Sequence, residues 1–192
     1  NIGSYLFKYL NDNKKILTEK NNCQPVIRYV SAKNKKRKRN FKISKNQWLD
    51  NYLSATTNKN VDLIVELIGG AEGPAKKLVF NALKNKKHVV TANKALIAKY
   101  GDQLSKIAEK NNVNLEFEAS VCGGVPIIRS LKESLIANKI SRIYGIFNGT
   151  SNYILTCMEK QNKSFDEVLS NAKKLGYAEA NPISDIKIIN IN

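Results

Sequence analysis

Short apolar runs of strand length alternate with longer amphipathic stretches, and this alternation limits the possible folds more than any other feature of the sequence. Residues 61–68 (VDLIVELI) and 88–91 (HVVT) are rich in β-branched residues. Residues 74–83 and 94–111 place apolar side chains at helical spacing. Strands joined by helices of this length favour a parallel, doubly wound sheet. We therefore predict an α/β fold.

The same patterns predict further elements along the 192 residues, a length that suits one domain and part of a second. A glycine-led helix begins near Gly3, and the pair Gly69 and Gly70 ends the strand over residues 61–68, which we expect to be largely buried. Further strands are predicted at residues 25–31, 114–118 and 140–148, and further helices at residues 127–137, 152–161 and 165–175.

Composition excludes some classes of protein and leaves one open. No apolar run approaches the roughly 18 residues of a membrane span. The three cysteines have no zinc-type spacing with the single His88, which indicates reduced thiols in a cytoplasmic protein. The net charge of +16 is typical of nucleic-acid binding. Most of the basic residues, however, are lysines scattered among Asn and Ile, as an A/T-rich coding sequence produces whatever the function, so nucleic acid is the less favoured partner.

A basic run at residues 33–39 (KNKKRKR) follows the strand predicted at residues 25–31. In dinucleotide-binding folds an acidic residue here binds the ribose of NAD, whereas basic residues accept the 2′-phosphate of NADP. The run contains no Asp or Glu, so Ser31, Lys33, Lys35 and Arg37 are candidates to favour NADP. The alternatives are a solvated loop and a nucleic-acid patch, although no aromatic residue interrupts the run to stack on bases.

Three groups of motifs carry chemistry. Residues 88–96 (HVVTANKAL) place Lys94 just after a strand, at the carboxyl edge of the sheet where ligands bind in such folds. Residues 117–126 (FEASVCGGVP) form a glycine loop whose carbonyls and one carboxylate suit a hard monovalent cation. The third group combines residues 148–153 (NGTSNY) and 175–182 (LGYAEANP) with the carboxylates Glu179 and Asp185.

These motifs, in this order and at these spacings, resemble the homoserine dehydrogenase family over the chain from Asn1 to about Asp185. The resemblance implies NAD(P)-dependent interconversion of L-homoserine and L-aspartate 4-semialdehyde, a step in threonine, methionine and isoleucine biosynthesis. It implies a Rossmann-like domain at residues 1–119, with its first strand missing, followed at residues 120–192 by the start of an α+β substrate and dimerisation domain. The complete enzyme is expected to be a cytoplasmic homodimer or homotetramer.

The resemblance also implies roles for individual residues. Lys94 would polarise the aldehyde or carry the hydroxyl proton, with Asp185 as its partner. Glu179 would bind the substrate ammonium group, Asp185 would line the same pocket, and Gly149 and Thr150 would offer backbone groups. Together with Lys33 and Arg37 from the loop argument, the expected cofactor contacts are Ile2, Gly3, Gly69, Lys94 and Gly176. A structural sodium ion is expected at Glu118 and the carbonyls of Val121, Gly123 and Val125.

Some features depart from the family pattern. The chain begins at Asn1 and its only methionine is Met158. After Asp185 the family continues with a glycine, an aspartate and a lysine, whereas this chain has Ile188 and Asn190 and then stops. We therefore expect an incomplete fragment with little turnover. The remaining motif residues have simpler roles: His88 is expected to be a buried, hydrogen-bonded side chain and Cys122 a packing substitution.

Two other classes of protein remain as alternatives. Another Rossmann-fold dehydrogenase, such as an aspartate-semialdehyde dehydrogenase, would need a catalytic cysteine with a histidine partner, and Cys122 with His88 does not make a convincing pair. A basic nucleic-acid-binding module would bind DNA or RNA with strong salt dependence.

Overall fold

A computed structural model describes residues 2–39 and 41–178 of the chain. The chain divides into two compact units, one up to Ser120 and one from Val121 onward. Among the described residues no helix is both long and apolar enough to cross a membrane.

A parallel three-stranded sheet in the order β1–β2–β3 organises the first unit. The strands are β1 (Leu63–Glu66), β2 (His88–Thr91) and β3 (Leu115–Glu116). In the register of the first pair, Leu63 lies opposite His88 and Glu66 opposite Thr91. The helices of this unit are α1 (Ile2–Asp12), α2 (Lys14–Asn21), α3 (Ser54–Thr57), α4 (Pro74–Lys84) and α5 (Lys94–Lys110), with 3-10 turns at Lys45–Gln47 and Glu118–Ser120. This parallel sheet with its connecting helices confirms the predicted Rossmann-like α/β class.

The core of the first unit forms where α4 and α5 cover one face of the sheet. Helix α4 begins with a proline at its first position, which has no N–H to leave unpaired. Its buried residues recur at helical spacing, and they pack with residues of α5 and the strands. The largest completely buried aliphatic side chains of this core are Val79, Leu83, Val89, Leu96 and Leu104.

Two strand predictions in this unit need correction. Residues 61–68 were expected to be buried, yet Leu63 is 47% exposed and Val65 38% exposed, because in the described chain only the face carrying Ile64 and Glu66 lies against the core. Residues 25–31 do not form a strand. Val30 makes one isolated parallel bridge with Trp48. A run of residues with high β-propensity becomes a strand only when a neighbouring segment pairs with it over several residues.

Helices dominate the described part of the second unit: α6 (Ile127–Arg129), followed by a π-helical turn at Ser130–Ser134, then α7 (Gly149–Gln161) and α8 (Phe165–Leu175). Helices α7 and α8 pack through a small core that includes Ile154, Cys157 and Val168. Ser164 and Glu167 form a capping box at the start of α8, and Gly176 ends the helix at a φ of 81°. The helix predicted at residues 165–175 is confirmed.

The segment between α6 and α7 differs from its prediction. The predicted helix over residues 127–137 breaks into the short α6 and the π turn. The predicted strand at residues 140–148 is wrong: no ladder forms there, and Tyr144 is 88% exposed. A β-branched run needs a neighbouring strand to pair with, and the described residues of this unit offer none.

Candidate functional site

A buried carboxylate lies at the carboxyl end of β1. Glu66 is completely buried, and its Oε1 atom accepts hydrogen bonds from the backbone N–H groups of Ile68 (2.6 Å) and Gly69 (3.0 Å). Its Oε2 atom accepts a hydrogen bond of 2.6 Å from the hydroxyl of Thr91, the residue opposite it in β2. Glu66 therefore joins the turn after β1 to the end of β2.

Asn93 extends this network to the start of α5. Its backbone N–H donates to the Thr91 hydroxyl oxygen at 3.1 Å, and its side-chain amide donates to the Gly70 carbonyl at 2.8 Å. Its Oδ1 atom accepts the N–H of Leu96 at 3.1 Å and so caps α5. The Asn93 side chain therefore holds the turn after β1 to the start of α5.

Lys94 occupies the first position of α5, directly after this cap, and is exposed. It lies at the carboxyl edge of the parallel sheet, as the motif predicted. A lysine is electrostatically unfavourable at a helix N-terminus, because the helix dipole is positive there.

Two of the glycines assigned to the cofactor, Gly3 and Gly69, lie in the first unit near this edge, and Gly70 follows Gly69. Gly69 and Gly70 both adopt positive φ angles, 85° and 80°, and a side chain at Gly69 would meet nothing within 4 Å. A Cβ atom at Gly3 would lie 3.6 Å from Cδ1 of Leu67, the residue after β1. The start of α1, with Ile2 exposed, therefore lies beside the β1 turn.

An exposed cluster next to this edge connects α4 with α5. Glu72, just before α4, accepts hydrogen bonds from Lys99 (2.8 Å) and Lys76 (3.1 Å) and from the Tyr100 hydroxyl. The hydrogen bond from Lys99, then those from Tyr100 and Lys76, lower the pKa of Glu72 to about 2. These contacts hold the start of α4 against the first turns of α5.

Two basic side chains of the loop at residues 33–39 bind other groups of the protein itself. The Arg39 guanidinium donates to the carbonyls of Asn34, Lys35 and Arg37 at 2.8 to 3.1 Å, and it lies 5.0 Å from the ring centre of Trp48. Lys35 pairs with Asp50 at 2.9 Å, and this contact lowers the pKa of Asp50. The predicted cofactor contacts Lys33 and Arg37 are exposed on the loop surface.

The residues predicted to bind a cation fall in both units. Glu118 is half-buried at the start of the 3-10 turn, where the Ser120 hydroxyl donates to the Thr91 carbonyl at 2.9 Å. In the second unit the carbonyl of Val125, one of the predicted ligands with Val121 and Gly123, accepts the N–H of Ile127 at 2.8 Å. Within the described residues no three His, Cys, Asp or Glu side chains form a metal-binding group. The cation site stays a prediction.

The second unit brings together three residues of the predicted substrate and cofactor sites. Gly149 begins α7, and the hydroxyl of Thr150 donates to the Tyr177 carbonyl at 2.5 Å. Tyr177 follows the helix-ending Gly176 and stacks on Tyr153 with ring centres 4.7 Å apart. The start of α7 and the end of α8 are thus joined. Glu179 and Asp185 lie outside the described residues.

Sequence reasoning missed the residues that organise the sheet edge, namely Glu66, Thr91, Asn93 and Ser120. One signal was available: a glutamate stands within the otherwise apolar run of residues 63–68.

The hydrogen bond expected of His88 is confirmed, since its Nδ1 atom accepts the N–H of Asn114 at 3.0 Å. The side chain is only half-buried, however, whereas it was expected to be buried.

Comparison with known proteins identifies similar chains. The family model for the homoserine dehydrogenase NAD-binding domain matches residues 1–118, and the homoserine dehydrogenase model matches residues 126–191. The homoserine dehydrogenase of Bacillus subtilis is 40% identical over 97% of this chain and 43% of its own length. That of Neisseria gonorrhoeae is 54% identical over 67% of this chain and 29% of its own length.

Solved structures give the same comparison. A crystal structure of homoserine dehydrogenase from S. aureus at pH 8.5 matches with a TM-score of 0.74 and 37% identity, over 96% of this chain and 43% of the other. A hyperthermophilic archaeal homoserine dehydrogenase in complex with NADPH matches with a TM-score of 0.62 and 34% identity, over 71% of this chain and 42% of the other. The chain spans less than half the length of these relatives.

Proposed function

The chain belongs to the homoserine dehydrogenase family, and on that basis we propose that it serves the NAD(P)-dependent interconversion of L-homoserine and L-aspartate 4-semialdehyde. Family members are oxidoreductases that act on a CH–OH group with a nicotinamide cofactor. The reaction itself is assigned to this chain as a proposal, because the matched relatives are more than twice as long.

The position of Lys94 carries the proposal. Its ammonium group stands at the first turn of α5, beside the carboxyl ends of β1 and β2, where parallel sheets bind their ligands. The Asn93 cap holds this turn to the Gly70 carbonyl. A cationic donor at this edge suits stabilisation of negative charge on a reacting oxygen.

The sheet edge also fits a nicotinamide cofactor. Gly69 and Gly70 keep side chains away from the turn after β1, and Gly3 does the same at the start of α1. Such a glycine-lined edge lets a ligand approach the backbone closely. When bound, the cofactor supplies hydride transfer at its nicotinamide ring.

The chain's own residues would position the substrate and manage its proton. In homoserine oxidation the hydroxyl proton must leave as the carbon loses hydride, and in the reverse reaction the carbonyl oxygen must gain a proton. Lys94 would hold that oxygen by a charge-assisted hydrogen bond and exchange the proton with it, with Asp185 as its partner. Glu179 would bind the substrate ammonium group.

Support for the substrate residues comes from the second unit. The Thr150 hydroxyl holds the Tyr177 carbonyl, two residues before Glu179. Gly149 and Thr150 at the start of α7 would offer N–H groups to the substrate carboxylate, since a helix N-terminus favours anions. Gly176 would contact the cofactor.

A preference for NADP is the finer part of the cofactor proposal. Lys33 and Arg37 are exposed on a run of residues without Asp or Glu, and we assign them to the 2′-phosphate on that composition. Arg39 supports the loop from inside through its three carbonyl contacts. The 2′-phosphate of NADP would therefore meet two cations, whereas the ribose of NAD would find no carboxylate partner.

Other parts of the proposal concern the whole protein. Residues 1–119 would form the cofactor domain and residues 120–192 the start of the substrate and dimerisation domain, which agrees with the division at Ser120.

Exposed apolar side chains between α6 and α7, among them Ile136 and Tyr144, support a homodimer or homotetramer. Free cysteines support a cytoplasmic location. A structural sodium ion would bind at Glu118 and the carbonyls of Val121, Gly123 and Val125.

A kinetic assay tests the function. The chain is mixed with homoserine and either NADP or NAD, and the absorbance of the reduced cofactor is followed. We expect slow, homoserine-dependent reduction that Lys94→Met abolishes, while Lys110→Met at the opposite end of α5 leaves it unchanged. Absence of both cofactor binding and turnover, or turnover that survives Lys94→Met, would overturn the proposal.

A further inference from the structure

Glu66 is unusual for its place in the fold. It lies on the core-facing side of β1, two residues after the buried Ile64, and its side chain is completely buried. Burying a carboxylate costs free energy unless its oxygens are well paired, and an apolar residue often fills such a position without loss of stability. Local rules of this kind are broken mainly at functional sites.

Glu66 is the acceptor in its hydrogen bonds with Ile68, Gly69 and Thr91. Two backbone N–H groups, from Ile68 and Gly69, point at Oε1, so this oxygen can only accept. The Thr91 hydroxyl has a single proton, and it is donated to Oε2. The oxygen of that hydroxyl is then oriented to accept the N–H of Asn93.

This chain of hydrogen bonds connects two turns on neighbouring strands. At one end it fixes the backbone of the Gly69 turn, and at the other it fixes the residue that caps α5 and precedes Lys94. Asn93 closes the circuit through its bond to the Gly70 carbonyl. Within the described residues every buried side-chain nitrogen and oxygen atom has a partner, so the circuit contains no unpaired group.

We propose that Glu66, acting through Thr91, is a positioning residue that holds the Gly69 turn and the start of α5 in the arrangement that binds the nicotinamide cofactor beside Lys94. Glu66 itself is buried and touches neither substrate nor cofactor. The inference deepens the proposed function and rests on it for the identity of the ligand. The circuit of hydrogen bonds can be tested without that identity.

Substitutions of nearly equal shape test the direction of the hydrogen bonds. In Glu66→Gln the amide oxygen can still face the two backbone N–H groups, but the new NH₂ group then points at Thr91. The Thr91 oxygen would have to accept from both this NH₂ group and Asn93, and its own proton would lose its acceptor. Thr91→Val removes the hydroxyl and keeps the shape, whereas Thr91→Ser retains the hydroxyl. Asp62→Asn, on an exposed residue just before β1, is the matched control.

Binding of NADPH to the chain is the first measurement, by fluorescence of the reduced cofactor. Loss of one hydrogen bond of this circuit corresponds to weaker binding on the order of tenfold. We expect this for Glu66→Gln and for Thr91→Val, with no further loss when the two are combined, because they break the same circuit. Thr91→Ser and Asp62→Asn should bind like the wild type.

The second measurement does not depend on the cofactor. Hydrogen exchange of single amides, followed by NMR, should accelerate at Ile68, Gly69 and Asn93 in Glu66→Gln and Thr91→Val. The ladder amides of β2 should keep their protection. If NADPH binds the wild type and both variants equally, the inference is wrong while the proposed function stands. If the wild type binds neither NADPH nor NADH, the proposed function fails, and unchanged exchange at the three amides overturns the circuit independently.

Discussion

The hydroxyl of Thr91 donates a hydrogen bond of 2.6 Å to Oε2 of Glu66, the residue opposite it in the β1–β2 register. The two residues come from strands that the sequence separates by an entire helix. Their contact links the carboxyl ends of β1 and β2, and the Asn93 cap of α5 belongs to the same hydrogen-bond network. Several properties of the molecule should depend on it.

Truncation of Glu66 should destabilise the first unit. Glu66→Ala removes the acceptor of the buried Thr91 hydroxyl and of two part-buried backbone N–H groups, and it leaves a cavity beside the core. We expect the free energy of unfolding to fall by about 3 kcal/mol. Urea denaturation followed by the fluorescence of Trp48, the only tryptophan, measures this change in the first unit. Asp62→Ala serves as the exposed control, and equal stability of the two variants would contradict the prediction.

The contact between Thr150 and Tyr177 should stabilise the end of α8. Thr150→Val keeps the shape but leaves the Tyr177 carbonyl without its buried donor, at a cost of about 1 to 2 kcal/mol. Thermal unfolding followed by circular dichroism tests this, with Thr150→Ser expected to recover most of the stability. Thr156→Val, at a half-buried position of the same helix, is the control. If both valine variants melt alike, the hydrogen bond has no energetic role.

Acid should weaken the cluster around Glu72. Hydrogen bonds from Lys99, Tyr100 and Lys76 lower the pKa of Glu72 to about 2 from an ordinary value of 4.5. A lowered pKa means that the stabilisation is complete above pH 4.5 and disappears as the pH falls through about 2. Glu72→Gln should therefore be slightly less stable than the wild type at neutral pH and equal to it near pH 2. Because the group is exposed, the difference should be small and should shrink in high salt.

Direct titration provides the check on Glu72. Carbon-detected NMR of the side-chain carboxyls should show Glu72 titrating well below the ordinary glutamate value of 4.5. Lys99→Met should raise the pKa of Glu72, since Lys99 makes the largest contribution. A midpoint for Glu72 near 4.5 in the wild type would show that the cluster does not form.

Cofactor preference should depend on Lys33 and Arg37. The double substitution Lys33→Ala, Arg37→Ala removes the two cations proposed to meet the 2′-phosphate, so NADPH should bind on the order of tenfold more weakly. NADH lacks that phosphate, and its dissociation constant should change little. The double substitution Lys84→Ala, Lys110→Ala, in the last turns of α4 and α5, controls for the loss of two positive charges. Equal weakening for both cofactors would show that the loop does not read the phosphate.

Local sequence patterns predicted much of the fold because they act over short distances. Helix α4 follows from a proline start and from apolar residues at helical spacing, and α8 follows from its capping box and terminal Gly176. The family resemblance came from motifs in sequence order, and the family comparison confirmed it. The site residues taken from that resemblance, Lys94 among them, remain predictions until function is measured.

The parts of the structure that the sequence did not predict depend on contacts between segments that no local pattern reveals. Residues 25–31 and 140–148 have the composition of strands, but a strand forms only where another strand lies alongside it, and no local pattern reports that partner. The role of Arg39 was missed for a similar reason. In the sequence it is one of many basic residues, whereas in the structure it donates to three carbonyls of its own loop.

Residue order alone was sufficient for helices α4, α5 and α8, the parallel β–α alternation and the place of Lys94 after β2, because these depend on neighbours within a few turns of chain. The partnership of Glu66 with Thr91 and Asn93 could be seen only after folding. Hydrogen bonds between adjacent parallel strands join residues 25 positions apart, and their register is set by packing of the whole sheet against its helices.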